Sequence, residues 1–139
     1  AVEHMDPYQI WGDGQQERDF TFVSDIVEGT ILCAEKISDM TPVNLGTGKR
    51  YKMVDVAKMI FKILNWNPKN IEFDTSKPTG AVSRALDNNR AKELLGWEPK
   101  YDLETGLRET IAWYLKTHKI EGGVNEDILL ENNPSTKSN

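Results

Sequence analysis

Trp11-Gly12-Asp13-Gly14-Gln15-Gln16-Glu17-Arg18-Asp19-Phe20-Thr21-Phe22-Val23-Ser24-Asp25 is the stretch on which the fold turns. Gly12 and Gly14 bracket an acid at a spacing that suits a tight reversal, because glycine reaches positive φ at no steric cost. Beyond them Phe20 and Phe22 alternate with Thr21 and Val23, which predicts a strand over residues 18–23. The stretch reads as a glycine hairpin feeding a strand that ends on an acid at a helix start. Arg18 sits just past the turn, where its rigid fork of donors suits a phosphate. The alternative at this point is a surface arginine paired with Asp13 or Glu17.

Upstream, Tyr8-Gln9-Ile10-Trp11 reads as a short strand, and residues 1–5 as the last turn of a helix stopped by Pro7. That opening lacks a start methionine and suggests a piece of something longer. Downstream, Ser24 or Asp25 caps a helix, with Glu28 at capping-box spacing from Asp25. Ile26, Val27, Thr30, Ile31 and Ala34 give it an apolar stripe through about Lys36. Residues 41–45 read as a third strand, ended by Gly46-Thr47-Gly48. This glycine loop does not match a phosphate-binding P-loop, because Val43 stands where the first glycine belongs and Arg50 where a Ser or Thr should follow the lysine. It reads as a strand-to-helix turn.

The clearest helix spans residues 53–66, with Val54, Ala57, Ile60, Phe61 and Leu64 on one face. Residues 71–73 form a fourth strand, and 74–80 a loop bent by Pro78 and Gly80. Asp87 caps a helix over residues 88–95 that Gly96 closes. A last helix runs over about 103–116, burying Leu103, Leu107, Ile111, Tyr114 and Leu115.

Composition limits the function classes. With 139 residues the chain is one domain by length. A net charge of -5 disfavours a nucleic-acid or anionic-membrane partner, since either needs a basic field. There is no apolar run of about 18 residues and no signal-peptide pattern, so a cytoplasmic protein is the default. Cys33 is the single cysteine, so no disulfide framework forms; it reads as a buried, inert thiol. His4 and His118 lack companions at ligand spacing, which leaves metal binding unsupported. Ser24, Ser76 and Ser83 have no histidine nearby and no nucleophile-elbow motif.

What remains is cationic. Arg18, Lys49 or Arg50, Lys77 and Arg84 fall in loops next to strand ends, which converge at one edge of an α/β sheet. Two arginines and a lysine would neutralise a diphosphate, and Trp11 offers an apolar wall for a sugar or base. Solvated loop charges are the alternative for Lys77 and Arg84.

Taken together, Trp11-Gly12-Asp13-Gly14, Arg18-Asp19-Phe20 and Val23-Ser24-Asp25 resemble the signature of nucleotide-sugar epimerases, dehydratases and reductases of the extended short-chain dehydrogenase superfamily. Asn44-Leu45-Gly46-Thr47-Gly48 looks like that family's strand before its penultimate long helix. Lys77-Pro78-Thr79-Gly80, Arg84, Leu86-Asp87, Leu95-Gly96-Trp97 and Gly106-Leu107 are similar to the closing region of GDP-L-fucose synthase and its relatives. The likeness covers about residues 1–117.

The resemblance implies an α/β fold: the small substrate-binding domain of an extended short-chain dehydrogenase, short strands with three to four helices, the Rossmann half absent. It places a nucleotide-sugar substrate-binding domain over residues 1–119 and a polar, disordered tail over 120–139. It implies that Arg18 binds the substrate diphosphate, that Arg84 contacts the sugar nucleotide from the opposite side, that Lys77 is a second substrate contact and that Trp11 lines the pocket. Asp25 is then mainly a structural cap. The family's glycine-rich cofactor motif is missing, and so is its Tyr-x-x-x-Lys pair, since Tyr8, Tyr51, Tyr101 and Tyr114 are followed four residues on by Gly12, Asp55, Thr105 and His118. No catalytic, cofactor-binding or metal-binding residue is therefore assigned. NAD or NADP is implied for the full-length enzyme only, and the isolated chain is expected to be inactive. Expected partners are a nucleotide-diphosphate sugar and the missing N-terminal Rossmann domain, with neither nucleic acid nor membrane. A self-associating, non-catalytic module, such as a homodimer using residues 1–5 and the stripe of residues 26–34, and a stable proteolytic product are the competing readings.

Overall fold

A computed structural model describes residues 1–118. In chain order these form β1 (Tyr8–Trp11), β2 (Glu17–Arg18), α1 (Val23–Lys36), β3 (Tyr51–Lys52), α2 (Met53–Ile63), β4 (Ile71–Asp74), α3 (Asn89–Leu95) and α4 (Leu103–His118). The expectation placed on residues 120–139 lies outside the described residues. No described helix is long and apolar enough to cross a membrane.

The strands form two small sheets. β1 runs parallel to β4, with Tyr8 opposite Ile71 and Trp11 opposite Asp74. β2 pairs antiparallel with β3, setting Arg18 opposite Tyr51. The expected hairpin is thus corrected: Gly12 and Gly14 carry the chain from one sheet to the other. Both do have positive φ, +78° and +73°. A Cβ on Gly12 would lie 2.1 Å from Thr79 Cγ2, and one on Gly14 2.9 Å from Phe73 Cε1. Glycine is needed there for close approach as well as for the turn.

The strand expected over residues 18–23 stops at Arg18, because α1 already begins at Val23. Neither Ser24 nor Asp25 caps it. Phe22 is the N-cap and makes no side-chain cap bond. Asp25 instead points inward from the first turn, 1% exposed. Its carboxylate accepts the backbone N–H of Lys100 and of Tyr101, each at 3.1 Å. Its carbonyl accepts Trp97 Nε1 at 3.0 Å. Glu28 forms no capping box but a 2.6 Å ion pair with Lys100.

The buried face of α1 also differs from the expected stripe. Gly29 meets Leu45 and the Trp97 indole, and Leu32 and Cys33 pack against Ala91, Leu95 and Trp97. Val27 and Ile31 are instead 52% and 54% exposed, and Thr30 and Ala34 face out with them. Cys33 is half-buried rather than fully enclosed. Residues 41–45 form no strand, since they pair with no described strand. Residues 1–5 form a turn closed by His4 N–H on the Ala1 carbonyl, not a helix end, and Ala1 and Val2 pack against the core.

The remaining helices follow the sequence closely, except that the N-cap of α3 is Asn88 rather than Asp87 and makes no side-chain cap bond. α2 ends at Ile63 with Leu64 as C-cap, three residues before Trp66, and Asn65 turns left-handed at φ +48°. Gly96 closes α3 at φ +68°, as its position predicts. Asp102 caps α4 by accepting the Thr105 N–H at 2.8 Å. The core lies between α2 and α4 at Ile63, Leu64, Ile111 and Leu115, between β1 and α2 at Ile10, Ala57 and Phe61, and under α1 at Ala91, Leu95 and Trp97. Leu64 and Leu95 are each 2% exposed, and burial of each contributes about 2 kcal/mol.

Candidate functional site

The two residues of β2 organise the polar face of the domain. On one edge they meet β3; on the other they meet the loop that follows β4. Glu17 N–H donates to the Val82 carbonyl at 2.9 Å, Arg84 N–H donates to the Glu17 carbonyl at 3.2 Å, and Ser83 Oγ donates to Glu17 Oε2 at 2.7 Å. Arg18 then fastens the same loop with its side chain. Its Nη1 donates to the Ala81 and Glu17 carbonyls, both at 2.7 Å, and its Nη2 to the Thr79 carbonyl at 2.6 Å. Three of the five N–H groups of a guanidinium are thereby engaged. Arg84 is exposed and makes no ion pair among the described residues.

Lys77 and Trp11 form a second grouping. The ammonium of Lys77 stands 6.0 Å from the centroid of the Trp11 ring, and Trp11 is 54% exposed. Lys77 lines a cleft of about 290 Å³ with Gly12, Asp13, Gln15, Gln16 and Thr79. Trp11 lines the adjoining cleft of about 250 Å³ between β1 and α2. Gln16 lines both clefts, a residue that the sequence reading did not single out. Its amide nitrogen donates to the Trp11 carbonyl at 2.8 Å, and its Oε1 is buried without a partner among the described residues. An unmet buried acceptor between two clefts favours an incoming donor. Only its place between Gly14 and Arg18 could have marked it.

The structure therefore brings Arg18 against the loop that leads to Arg84, and Lys77 against Trp11. It does not gather the four into one cavity, since neither arginine lines either cleft. Lys49 faces elsewhere: its charge bears on Asp102 at the start of α4. The carboxyl of Asp74, beside Lys77, is held below the ordinary carboxylate range by the Ser76 hydroxyl; burial opposes this, and the Ser76 N–H and the charge of Lys77 add to it. The positive charge at the clefts is thus local and interleaved with acids.

The loop at residues 46–48 tests whether this chain could hold the phosphates of a dinucleotide. Asp19 Oδ1 accepts the Thr47 N–H at 3.1 Å and, at shorter range, the Thr47 hydroxyl. Asp19 Oδ2 accepts Gly48 N–H at 2.9 Å and Leu86 N–H at 3.2 Å. A phosphate at this loop would need those same amides and would meet a carboxylate, so the loop does not fit a pyrophosphate. Among the described residues, no group of His, Cys, Asp and Glu could hold a metal ion.

Comparison with known proteins agrees with this architecture. A family model for GDP-mannose 4,6 dehydratase matches residues 1–110. GDP-mannose 3,5-epimerase from Arabidopsis thaliana is 36% identical over 131 residues, which is 94% of this chain and 34% of the relative. UDP-glucuronic acid decarboxylase 2 from the same plant is 41% identical over 102 residues, 73% of this chain and 22% of the relative. Among solved structures, UDP-glucose 4-epimerase from Thermotoga maritima, crystallised with UDP-glucose, superposes with a TM-score of 0.77 at 32% identity, covering 84% of this chain and 37% of that one. dTDP-glucose 4,6-dehydratase from Bacillus anthracis, in complex with NAD, also has a TM-score of 0.77, at 28% identity, over 85% of this chain and 37% of that one. The chain spans about a third or less of the length of the curated relatives described here. It belongs to the GDP-mannose 4,6 dehydratase family, within the extended short-chain dehydrogenases that serve as nucleotide-sugar epimerases and dehydratases.

Proposed function

We propose that this chain is the substrate-holding part of a nucleotide-sugar epimerase, dehydratase or reductase, and that it binds the nucleotide diphosphate. The observation that carries the reading is the clasp of Arg18 on the carbonyls of Thr79 and Ala81. It fixes two basic positions that lie 66 residues apart, Arg18 and Arg84, on one edge of the domain, since Arg84 N–H is itself bonded to Glu17. Arg84 supplies an exposed guanidinium for a phosphate oxygen, and Arg18 keeps two donors for another. Lys77 and Trp11 add a cation and a flat apolar face for the sugar or base.

The chemistry of such an enzyme requires a nicotinamide dinucleotide, which exchanges a hydride with a sugar carbon when bound. The residues of this chain would bind and orient the substrate and exclude water around it. The dinucleotide would be held by parts of the full-length protein beyond this chain, because the 46–48 loop directs its amides at Asp19. The isolated chain is then without activity.

Calorimetry with GDP-, UDP-, CDP- and dTDP-sugars tests the reading. One of them should bind at about millimolar affinity or better, and Arg84→Ala should weaken it about tenfold, with Lys77→Ala doing the same. Neither substitution should move the unfolding midpoint, because both side chains are exposed. No binding of any sugar nucleotide at several millimolar would refute the substrate role.

A further inference from the structure

The half-buried carboxylate of Asp19 joins two segments that are remote from it in sequence. Oδ1 accepts the N–H and the hydroxyl of Thr47, while Oδ2 accepts the N–H groups of Gly48 and Leu86, partners 28, 29 and 67 residues away. A carboxylate has about four acceptor positions, and these donors fill them. Asp19 is thus a connector between the loop at residues 46–48 and the segment that carries Arg84.

The bond to Leu86 continues a ladder that the backbone leaves unfinished. Glu17 pairs in parallel with Ser83; its N–H donates to the Val82 carbonyl, and its carbonyl accepts the Arg84 N–H. In a parallel ladder the next rung would carry the Leu86 N–H to the backbone carbonyl of Asp19. β2 has ended at Arg18, and Asp19 Oδ2 takes that N–H instead, at 3.2 Å. Arg84 therefore lies between two tethers, its own N–H on Glu17 and the Leu86 N–H on Asp19. Gly46 backs the second tether: a Cβ there would lie 2.6 Å from Leu86 Cβ and 2.9 Å from Asp19 Oδ2. The Thr47 and Gly48 amides hold the carboxylate in place, so the glycine loop braces the point that Leu86 is tied to. Lys77 is held separately, its N–H on the Asp74 carbonyl.

We propose that Asp19 is a positioning residue for Arg84: it fixes the stretch of backbone from which the exposed guanidinium reaches the substrate diphosphate, and the loop at residues 46–48 is the brace of that anchor. The inference rests on the reading of Arg84 as a phosphate contact and deepens it by naming what sets that side chain's reach. An arginine has a long, rotamer-rich stem, and ordering it on a ligand costs less when its backbone is already fixed. Asp19 makes no contact with the ligand in this scheme, because its acceptor positions are filled from within the chain. Its effect on binding is routed through Arg84 and leaves the contribution of Lys77 alone.

The test uses the full 139-residue chain, with GDP-mannose, UDP-glucose, CDP-glucose and dTDP-glucose as probes in NMR titrations. Asp19→Asn sets an NH2 group against N–H donors. Without ligand, amide exchange should accelerate at least about tenfold at Leu86 and also at Arg84, whose own acceptor on Glu17 is untouched, while Phe61 and Leu64 in the core keep their protection. With the probe that binds best, Asp19→Asn should weaken binding about fivefold. Asp19→Asn combined with Arg84→Ala should bind no more weakly than Arg84→Ala alone, whereas Lys77→Ala should cost the same factor in the native and Asp19→Asn chains. Gly46→Ala pushes Leu86 from the opposite side and should reproduce this pattern, which carries the test if Asp19→Asn does not fold. Exchange at Arg84 or probe affinity that stays within about twofold of native in both variants overturns the inference, as do losses of Asp19→Asn and Arg84→Ala that multiply. So does failure of both variants to fold, which would make the connector part of the core. Absence of binding of all four probes by the native chain removes the substrate role and this inference with it; binding by the native chain without coupling between Asp19 and Arg84 removes this inference alone.

Discussion

The carboxylate of Asp25 accepts the backbone N–H of Tyr101 at 3.1 Å across 76 residues of sequence, from a position only 1% exposed. Its second oxygen takes the Lys100 N–H, and its carbonyl takes the Trp97 indole, so one residue of α1 fixes the whole approach to α4. Asp25→Ala leaves two part-buried N–H groups without their acceptor. The expected cost is about 2–4 kcal/mol in urea unfolding at neutral pH. Asp25→Asn keeps one acceptor oxygen and should fall between Ala and the native residue. A loss under about 0.5 kcal/mol for Asp25→Ala would return the residue to an ordinary helix-end acid.

Gly12 and Gly96 share a left-handed backbone, φ +78° and +68°, but not their surroundings. Nothing lies within 4 Å of a Cβ placed on Gly96, whereas Thr79 Cγ2 lies 2.1 Å from one on Gly12. Gly96→Ala should therefore cost only the left-handed penalty, about 1–2 kcal/mol. Gly12→Ala adds the displacement of Thr79, whose carbonyl Arg18 holds, and should cost about 2–4 kcal/mol. Equal losses in thermal unfolding would mean that the loop at residue 79 gives way freely.

How much of this was legible in the sequence depended on the range of the signal. β1, β4, α2, α3 and α4 all follow from local pattern, because an apolar period or Gly96 acts within a turn or two of chain. Asp25 was misread because an acid at a helix start looks like a cap, and its true partners are backbone amides 75 and 76 residues away. Every residue but proline carries such an amide, so no residue type could flag them. The same holds for Arg18: its fork of donors was visible, but its carbonyl partners on the loop after β4 were not. For α1 the stripe was real and its destination was not, since periodicity shows that a face is apolar and not what covers it. Residues 41–45 have a strand's alternation without a strand's partners, which no local pattern can supply.

Asp102 makes stability depend on pH at the start of α4. The Thr105 backbone N–H, then its hydroxyl, hold the Asp102 carboxyl below its ordinary value; burial opposes this and the charge of Lys49 adds to it. A carboxyl whose folded pKa is depressed stabilises the fold above its unfolded value, about 3.9, and loses that contribution as pH falls through the lower folded value. Asp102→Ala should cost about 1 kcal/mol at pH 7, the usual worth of a side-chain cap. Asp102→Asn should cost less, and the gap between it and the native chain should close as the pH falls below the unfolded carboxyl value and through the lower folded one. A gap in urea midpoint that does not change with pH would show that the carboxylate charge is immaterial.

Arg18 holds the loop after β4 with two nitrogens aimed at two different carbonyls, Ala81 by Nη1 and Thr79 by Nη2. A lysine carries its charge on a single nitrogen and cannot span both. Arg18→Lys should therefore cost about 1–2 kcal/mol despite the retained charge, with amide exchange accelerating at Glu17 and Arg84, whose N–H groups tie β2 to this loop, as the segment loosens. Arg84→Ala removes a charge without touching that clasp and should leave the unfolding midpoint in place. The pair separates two roles in sugar-nucleotide binding. If Arg18 acts by positioning, Arg18→Lys weakens binding in step with the loss of protection at Glu17 and Arg84, while Arg84→Ala weakens binding with protection intact. If instead Arg18→Lys leaves protection unchanged and binding falls, the guanidinium meets the phosphate directly and its carbonyl contacts are secondary.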